Sequence, residues 1–241
     1  MISLLEADGD LGCHLDVEDA AEATRRSVVH TIRVARGRWT PAQHAPVDRG
    51  LIGLFVLDGL LVRCVTLADH RSADLVMSGD VIRPFEDTFD GAAMVPSEVE
   101  WRVLEPVTLA LLDSRLVQEM CAYPQVIAAL AGRAAERTAV LAQRLAITHQ
   151  PRVSARLWLL LWQLAERSGV VTGEGVLLKL RLTQALLAEL VIASRPRVSD
   201  AIQELKRERL AWQTQERHWW LSGVPPEGPP RSADVKRSLS V

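Results

Sequence analysis

The chain has 241 residues, 48% of them apolar and 24% charged, an ordinary balance for a soluble globular protein of one large or two modest domains. Its net charge of −2 hides an asymmetry: residues 1–149 carry 14 Lys/Arg against 21 Asp/Glu, and residues 150–241 carry 14 against 9, so a basic C-terminal third follows an acidic body. Three scattered cysteines, Cys13, Cys64 and Cys121, form no CxxC pair and no disulfide framework, which points to a reducing cytoplasm; no apolar run reaches the ~18 residues of a membrane span, and the acidic start lacks the basic region of a signal peptide.

From Ser27 to Leu112 the pattern is one of short strands. "SVVHTIRVARGRW" alternates in part. "GLIGLFVLDGLLVRCVTL" holds two apolar runs around Asp58-Gly59, which predicts a hairpin turn there. "ADLVMSGDVIRP" repeats the pattern with a turn at Ser78-Gly79-Asp80, and "VEWRVLEPVTLALLD" predicts two further strands broken at Glu105-Pro106. Strands at this spacing predict a β-sandwich or barrel. "FEDTFDGAAMVPSE" has no clean period and reads as a loop or short helix.

Between Ser114 and Ile147 the composition shifts to Ala, Leu, Arg and Gln, good helix formers. Val126, Leu130, Arg137, Val140, Leu141 and Leu145 recur at three- to four-residue steps, predicting a long amphipathic helix whose stripe forms a dimer seam. His149-Gln150-Pro151 reads as a hinge, with Pro151 in the first turn of the next helix, "RVSARLWLLLWQLAERSG", closed by Gly169. "VVTGEGVLLKLRL" reads as a turn with one strand, and "LAWQTQERHWWLSG" as two strands about a polar turn near Gln215-Glu216-Arg217. The final residues, 224–241, rich in Pro, Ser and charge, read as a disordered tail.

"LTQALLAELVIASRPRVSDAIQEL", from Leu182 to Leu205, predicts two short helices with a tight turn. Thr183 and Ser194 are placed to cap them, and Pro196 falls in the first turn of the second, where its missing N–H costs nothing. Val198, Ile202 and Leu205 share the inward face; Arg195, Arg197, Ser199, Asp200, Gln203, Lys206 and Arg207 share the outward one. A polar, mostly basic face is what a helix needs to enter a DNA major groove between two phosphate rails, and the Trp212–Leu221 hairpin would be a wing beside it.

The order of these elements, with "LTQALLAELVIASRPRVSDAIQELKRERL" and the Gly-Asp turn of "LVMSGDVIRP", resembles the Crp/Fnr family of bacterial transcription regulators over about residues 10–223. The resemblance implies an α+β chain with a cyclic-nucleotide-binding-like β-roll at 1–113, a long dimerisation helix at 114–149, and a winged helix-turn-helix at 150–223. It implies a homodimer on double-stranded DNA, with RNA polymerase as a further candidate partner. The DNA-facing set is Thr183, Ser194, Arg195, Arg197, Ser199, Asp200, Gln203 and Arg207.

Three departures qualify it. The family commonly has Gly in the turn between the two helices, where this chain has Ile192, a poor residue at positive φ. Pro196 and Asp200 stand where well-known members carry Glu and Arg; Arg195 can still pair with a guanine, and Asp200 can accept only from a cytosine amino group. Residues 84–100 contain no Lys or Arg to hold a cyclic phosphate, so cyclic AMP is not the expected effector. Cys13 alone is no cluster ligand set; a haem ligand pair is conceivable from His44, His70 or Cys64, but lone histidines are more often surface or core residues. No cofactor or metal is therefore expected, and the effector is unknown or absent. No catalytic constellation points to an enzyme. The alternative function is a protein–protein module whose degenerate helix-turn-helix has lost specific DNA.

Overall fold

The computed structural model describes residues 1–44, 52–85 and 97–223. The chain divides into two compact units, Met1–Ala139 and Val140–Val241. The segment predicted as a disordered tail, and most of "FEDTFDGAAMVPSE", lie outside the described residues.

The first unit opens with β1 (Ile2–Ser3), α1 (Leu4–Ala7), a 3-10 turn (Gly9–Gly12) and α2 (Val17–Arg26). The sequence reading did not anticipate these helices. The signal for α2 was present: Asp16 at the N-cap position, Glu18 and Asp19 in the first turn, and Arg25 and Arg26 in the last, all in accord with the helix dipole. Then follow β2 (Val28–Val29), β3 (Thr31–Val34), β4 (Gly37–Trp39), a second 3-10 turn (Pro41–His44), β5 (Gly53–Leu67), β6 (His70–Met77), β7 (Val81–Ile82) and β8 (Glu98–Leu112). β2 pairs with β1. The others form one antiparallel sheet in the order β3-β8-β5-β6, with β4 also on β8 and β7 on β5.

Both faces of this sheet are covered. Leu54 and Val56 enter one cluster with Trp39, Leu61, Val103 and Leu109. Phe55, pointing the other way, enters a second with Leu112 of β8 and with Leu4, Met120 and Val126 from the flanking helices. Burial on both sides explains why β5 reads as a nearly unbroken apolar run rather than an alternating one.

Two expected breaks are not turns. Asp58-Gly59 lies inside β5, and Glu105-Pro106 inside β8; the hairpin turn comes instead at Ala68-Asp69, with Ala68 at φ 49°. The pairing shifts register between Val56 and Leu61, where Asp58 faces Thr108 and Leu60 faces Glu105. The two strand-breaking residues therefore face each other and share one bulge. Gly59 is at φ 95°, and a Cβ there would lie 2.3 Å from the Pro106 carbonyl oxygen, so only glycine fits. The Ser78-Gly79-Asp80 turn forms as expected: Gly79 is at φ 88°, and the Asp80 carboxylate accepts from the Met77 N–H at 2.9 Å.

The predicted long helix is two. α3 (Ser114–Met120) is capped by Asp113, whose carboxylate accepts from the Leu116 N–H; α4 (Pro124–Thr148) starts at Pro124, the first helical position, where proline is tolerated. The expected seam is partly used up within the chain. Val126 is fully buried in the second cluster and Leu130 packs against it. Arg137 donates to Asp74 and to Asp80 (3.1 Å). One turn earlier, Arg133 reaches Asp8 at 3.4 Å and Asp10 at 3.5 Å. These four positions pack against other parts of the first unit. The exposed stripe is instead Ala128, Ala131, Ala135, Thr138, Ala142 and Leu145, with Leu141 beside it; Leu145 is 62% exposed and Val140 is half-buried.

The second unit takes the last turns of α4. Gln163, 5% exposed on α5 (Val153–Ser168), accepts from Arg144 Nε at 3.1 Å and donates to the Val140 carbonyl and to Gln143, each at 3.1 Å. Pro151 lies ahead of α5 rather than in its first turn, because the extended Arg152 occupies the N-cap. Leu157, Leu160 and Leu161 bury α5 almost completely.

Gly169 ends α5 and begins β9 (Gly169–Thr172), which pairs with β10 (Gly175–Leu178). A Cβ at Gly169 would sit 2.5 Å from the Ala165 carbonyl oxygen and 2.6 Å from Val176, so glycine alone lets the helix pass directly into the sheet. The sequence predicted one strand here. β9 was missed because Val170 and Val171 are both exposed on an edge strand and show no alternation. After α6 (Gln184–Val191) and α7 (Arg195–Arg207), β11 (Ala211–Gln213) and β12 (Trp219–Leu221) complete a sheet in the order β11-β12-β10-β9. Ala211, Trp219, Leu221 and Leu178 are fully buried, and Trp212 and Trp220, paired across the hairpin, stack at 6.1 Å.

Candidate nucleic-acid interface

α6 begins at Thr183, whose Oγ1 accepts the Leu186 N–H at 3.2 Å, so this side chain serves the helix start. Leu186, Leu187, Leu190 and Val191 bury its inner face. At its end Ile192 takes the left-handed conformation, φ 51° and ψ 62°. The chain keeps the usual turn shape and loads a β-branched residue into it, a strain of about 1–2 kcal/mol. The Ala193 N–H reaches back to the Ala188 carbonyl at 3.0 Å. Arg156, from α5, donates through Nη1 to the carbonyls of Val191 (3.2 Å) and Ile192 (3.1 Å).

α7 starts immediately after this turn. Ser194 holds the N-cap position, but its side chain makes no capping bond, contrary to expectation; Pro196 lies in the first turn as expected. Val198, Ala201, Ile202 and Leu205 are buried, each such residue contributing on the order of 1–3 kcal/mol. The opposite face is open: Ser194, Arg195, Arg197, Asp200, Gln203, Lys206 and Arg207 are exposed, and Ser199 is half-buried. Among the described residues none of Arg195, Arg197, Asp200, Lys206 and Arg207 is engaged in an ion pair or side-chain hydrogen bond. At the far end, burial pushes the Glu208 carboxyl up, with Glu204 adding to the effect. Exposed cations stand at both ends of α7, Arg195 and Arg197 at its start and Lys206 and Arg207 in its last turn.

Other exposed cations belong to this unit and were missed in the sequence. Lys179 and Arg181 lie on the segment leading to Thr183. Arg217 stands in the wing turn at φ 64°, with the Thr214 N–H bonded to the His218 carbonyl at 2.8 Å. Their signal was position rather than type: one precedes the first helix, another tips a hairpin.

The first unit does not gather its candidate ligands. Cys64 is buried opposite Ala73 and accepts from Arg102 at 3.3 Å, His70 is exposed at the β5–β6 hairpin, and His44 Nδ1 accepts from Trp39 at 3.3 Å. Among the described residues there is no group of three His, Cys, Asp or Glu that could hold a metal ion, and no helix is long and apolar enough to cross a membrane.

A family model described as a Crp-like helix-turn-helix domain matches residues 155–220. No curated protein sequence matches the chain. Among solved structures it is similar to a cyclic nucleotide-binding domain containing protein from Listeria monocytogenes EGD-e, with 17% identity and a TM-score of 0.60 over 88% of this chain and 94% of that one. A variant of CooA from Carboxydothermus hydrogenoformans gives 15% and 0.59 over 100% and 96%. A CRP-family transcriptional regulator from Thermus thermophilus gives 18% and 0.55 over 87% and 97%. At such identities the likeness is one of fold. Residues 155–220 are thus a Crp-like helix-turn-helix domain, carried on a chain with the fold of the Crp/Fnr regulators.

Proposed function

We propose that the protein is a DNA-binding transcription regulator that acts as a homodimer. The observation that carries this reading is the open face of α7, where cations at the N-terminal end have no internal partner while the opposite face is fully buried. Arg195 reads a guanine through its fork, Arg197 and Arg207 touch phosphates, and Asp200 accepts from a cytosine and disfavours other bases. An acid in the groove lowers affinity and sharpens choice. The exposed small-residue stripe of α4 pairs with its copy, so that two α7 helices reach major grooves ~34 Å apart. RNA polymerase is the partner such a regulator would recruit or obstruct.

The first unit's effector is unknown or absent; it is not cyclic AMP, because residues 84–100 offer a cyclic phosphate no cation. The proposed setting is the cytoplasm, and no catalysis is proposed. Selection of binding sites from random DNA by the purified protein, followed by gel shifts over a salt series, tests the reading. A palindromic site and a steep salt dependence are expected. Failure to enrich any sequence would instead favour a protein-interaction module with a degenerate helix-turn-helix.

A further inference from the structure

The turn between α6 and α7 is strained at Ile192, yet α7 begins only three residues later, so a small rotation at that residue swings Arg195 and Arg197. One side chain holds the turn from outside. Arg156 is half-buried on α5; its Nη1 donates to the carbonyls of Val191 and Ile192, and its Nε donates to the Gln150 carbonyl at 2.6 Å. The first two acceptors lie at the C-terminus of α6, where carbonyls lack helical partners and the dipole is negative. The third lies in the linker between α4 and α5. All three are backbone atoms, so the tie depends on the planar fork and not on the identity of the residues it holds.

We propose that Arg156 is the positioning residue of the DNA-reading helix: it keeps Ile192 in the left-handed turn and couples that turn to the linker after α4. This rests on the DNA-binding reading above. It explains how the chain dispenses with glycine at 192. A left-handed isoleucine relaxes toward other conformations unless its neighbours fix it, and the arginine grips the carbonyls on both sides of the bond that would rotate.

The test compares wild type, Arg156→Gln, Ile192→Gly and the double variant on a DNA site selected with the wild-type protein. Arg156→Gln is expected to bind about tenfold more weakly, the scale of coupling between neighbouring groups. Ile192→Gly, which needs no grip, is expected to restore most of that loss in the double variant. The salt slope stays constant throughout, because Arg156 touches no phosphate. Amide exchange at Ala193 accelerates in Arg156→Gln and returns in the double variant. Arg156→Lys keeps the charge but not the fork; it gives the same ordering with a smaller loss and serves if the glutamine variant does not fold. A loss that glycine does not relieve overturns the proposal, as does a salt slope that falls by about one unit, the mark of a direct phosphate contact. If wild type selects no DNA, the DNA-binding reading fails, and Ala193 exchange alone decides whether Arg156 holds the turn: unchanged exchange overturns it.

Discussion

Arginines on α4 and on α7 have opposite fates. Arg133 and Arg137 turn inward and meet Asp8, Asp10, Asp74 and Asp80. Arg195, Arg197 and Arg207 turn outward and, among the described residues, make no ion pair or side-chain hydrogen bond. Both helices carry three Arg, and composition does not separate them. The difference lies in what covers each face. A guanidinium answered by buried carboxylates belongs to the folded unit, whereas one left open can answer phosphates on another molecule.

Removing the inward cation breaks this contrast most severely. Arg137→Ala takes the guanidinium from Asp74 and Asp80, whose side chains are 13% and 3% exposed, and is expected to cost ~3–5 kcal/mol, read from the denaturant midpoint. On the outward side of α4, Leu145→Glu places a charge against its own copy across a twofold seam. Dimerisation should weaken by on the order of 2–4 kcal/mol, seen as monomer by light scattering at micromolar protein; an unchanged mass would remove this stripe from the interface. On α7, Arg195→Ala should cost ~1–3 kcal/mol on the selected site and relax one base position, while Arg207→Ala should weaken all sequences alike and reduce the salt slope by about one unit. If the two variants behave identically, the division between base reading and phosphate contact is wrong. The smallest effect is expected at the turn. Ile192→Gly relieves about 1–2 kcal/mol of left-handed strain, partly offset by the greater freedom of glycine in the unfolded chain, for a net gain of roughly 0.5–1 kcal/mol in thermal unfolding.

What was legible in the sequence follows the same division. The helix-turn-helix could be read because one-sided burial leaves a period: Val198, Ile202 and Leu205 inward, arginines outward. The exposed edge strand β9 leaves none, and was read as a turn. The α4 stripe was legible as amphipathic but not as to its partner. Val126 and Arg137 sit at seam-like spacings, yet periodicity cannot say whether a face meets the chain's own sheet or another molecule. Gly59 and Pro106 are correct strand-breaking signals taken one at a time. Only the register, which sets them opposite each other, turns two apparent turns into one bulge. The strain at Ile192 was visible in the sequence as a departure, but Arg156, its brace, lies 36 residues earlier and carries no local signal.

Each unit carries its own pair of indoles. Trp39 and Trp101 meet edge to face at 5.8 Å in the first, and Trp212 and Trp220 stack at 6.1 Å in the wing of the second. Transition dipoles this close couple, and the two geometries, inclined at 74° and 29°, give distinct circular-dichroism signatures. Among the described residues, each unit therefore holds one contacting indole pair, alongside Trp158, Trp162 and Trp219 in the second. Trp212→Phe erases the second pair and leaves the first, so that a spectral change on adding DNA can be assigned to the wing without attaching a dye.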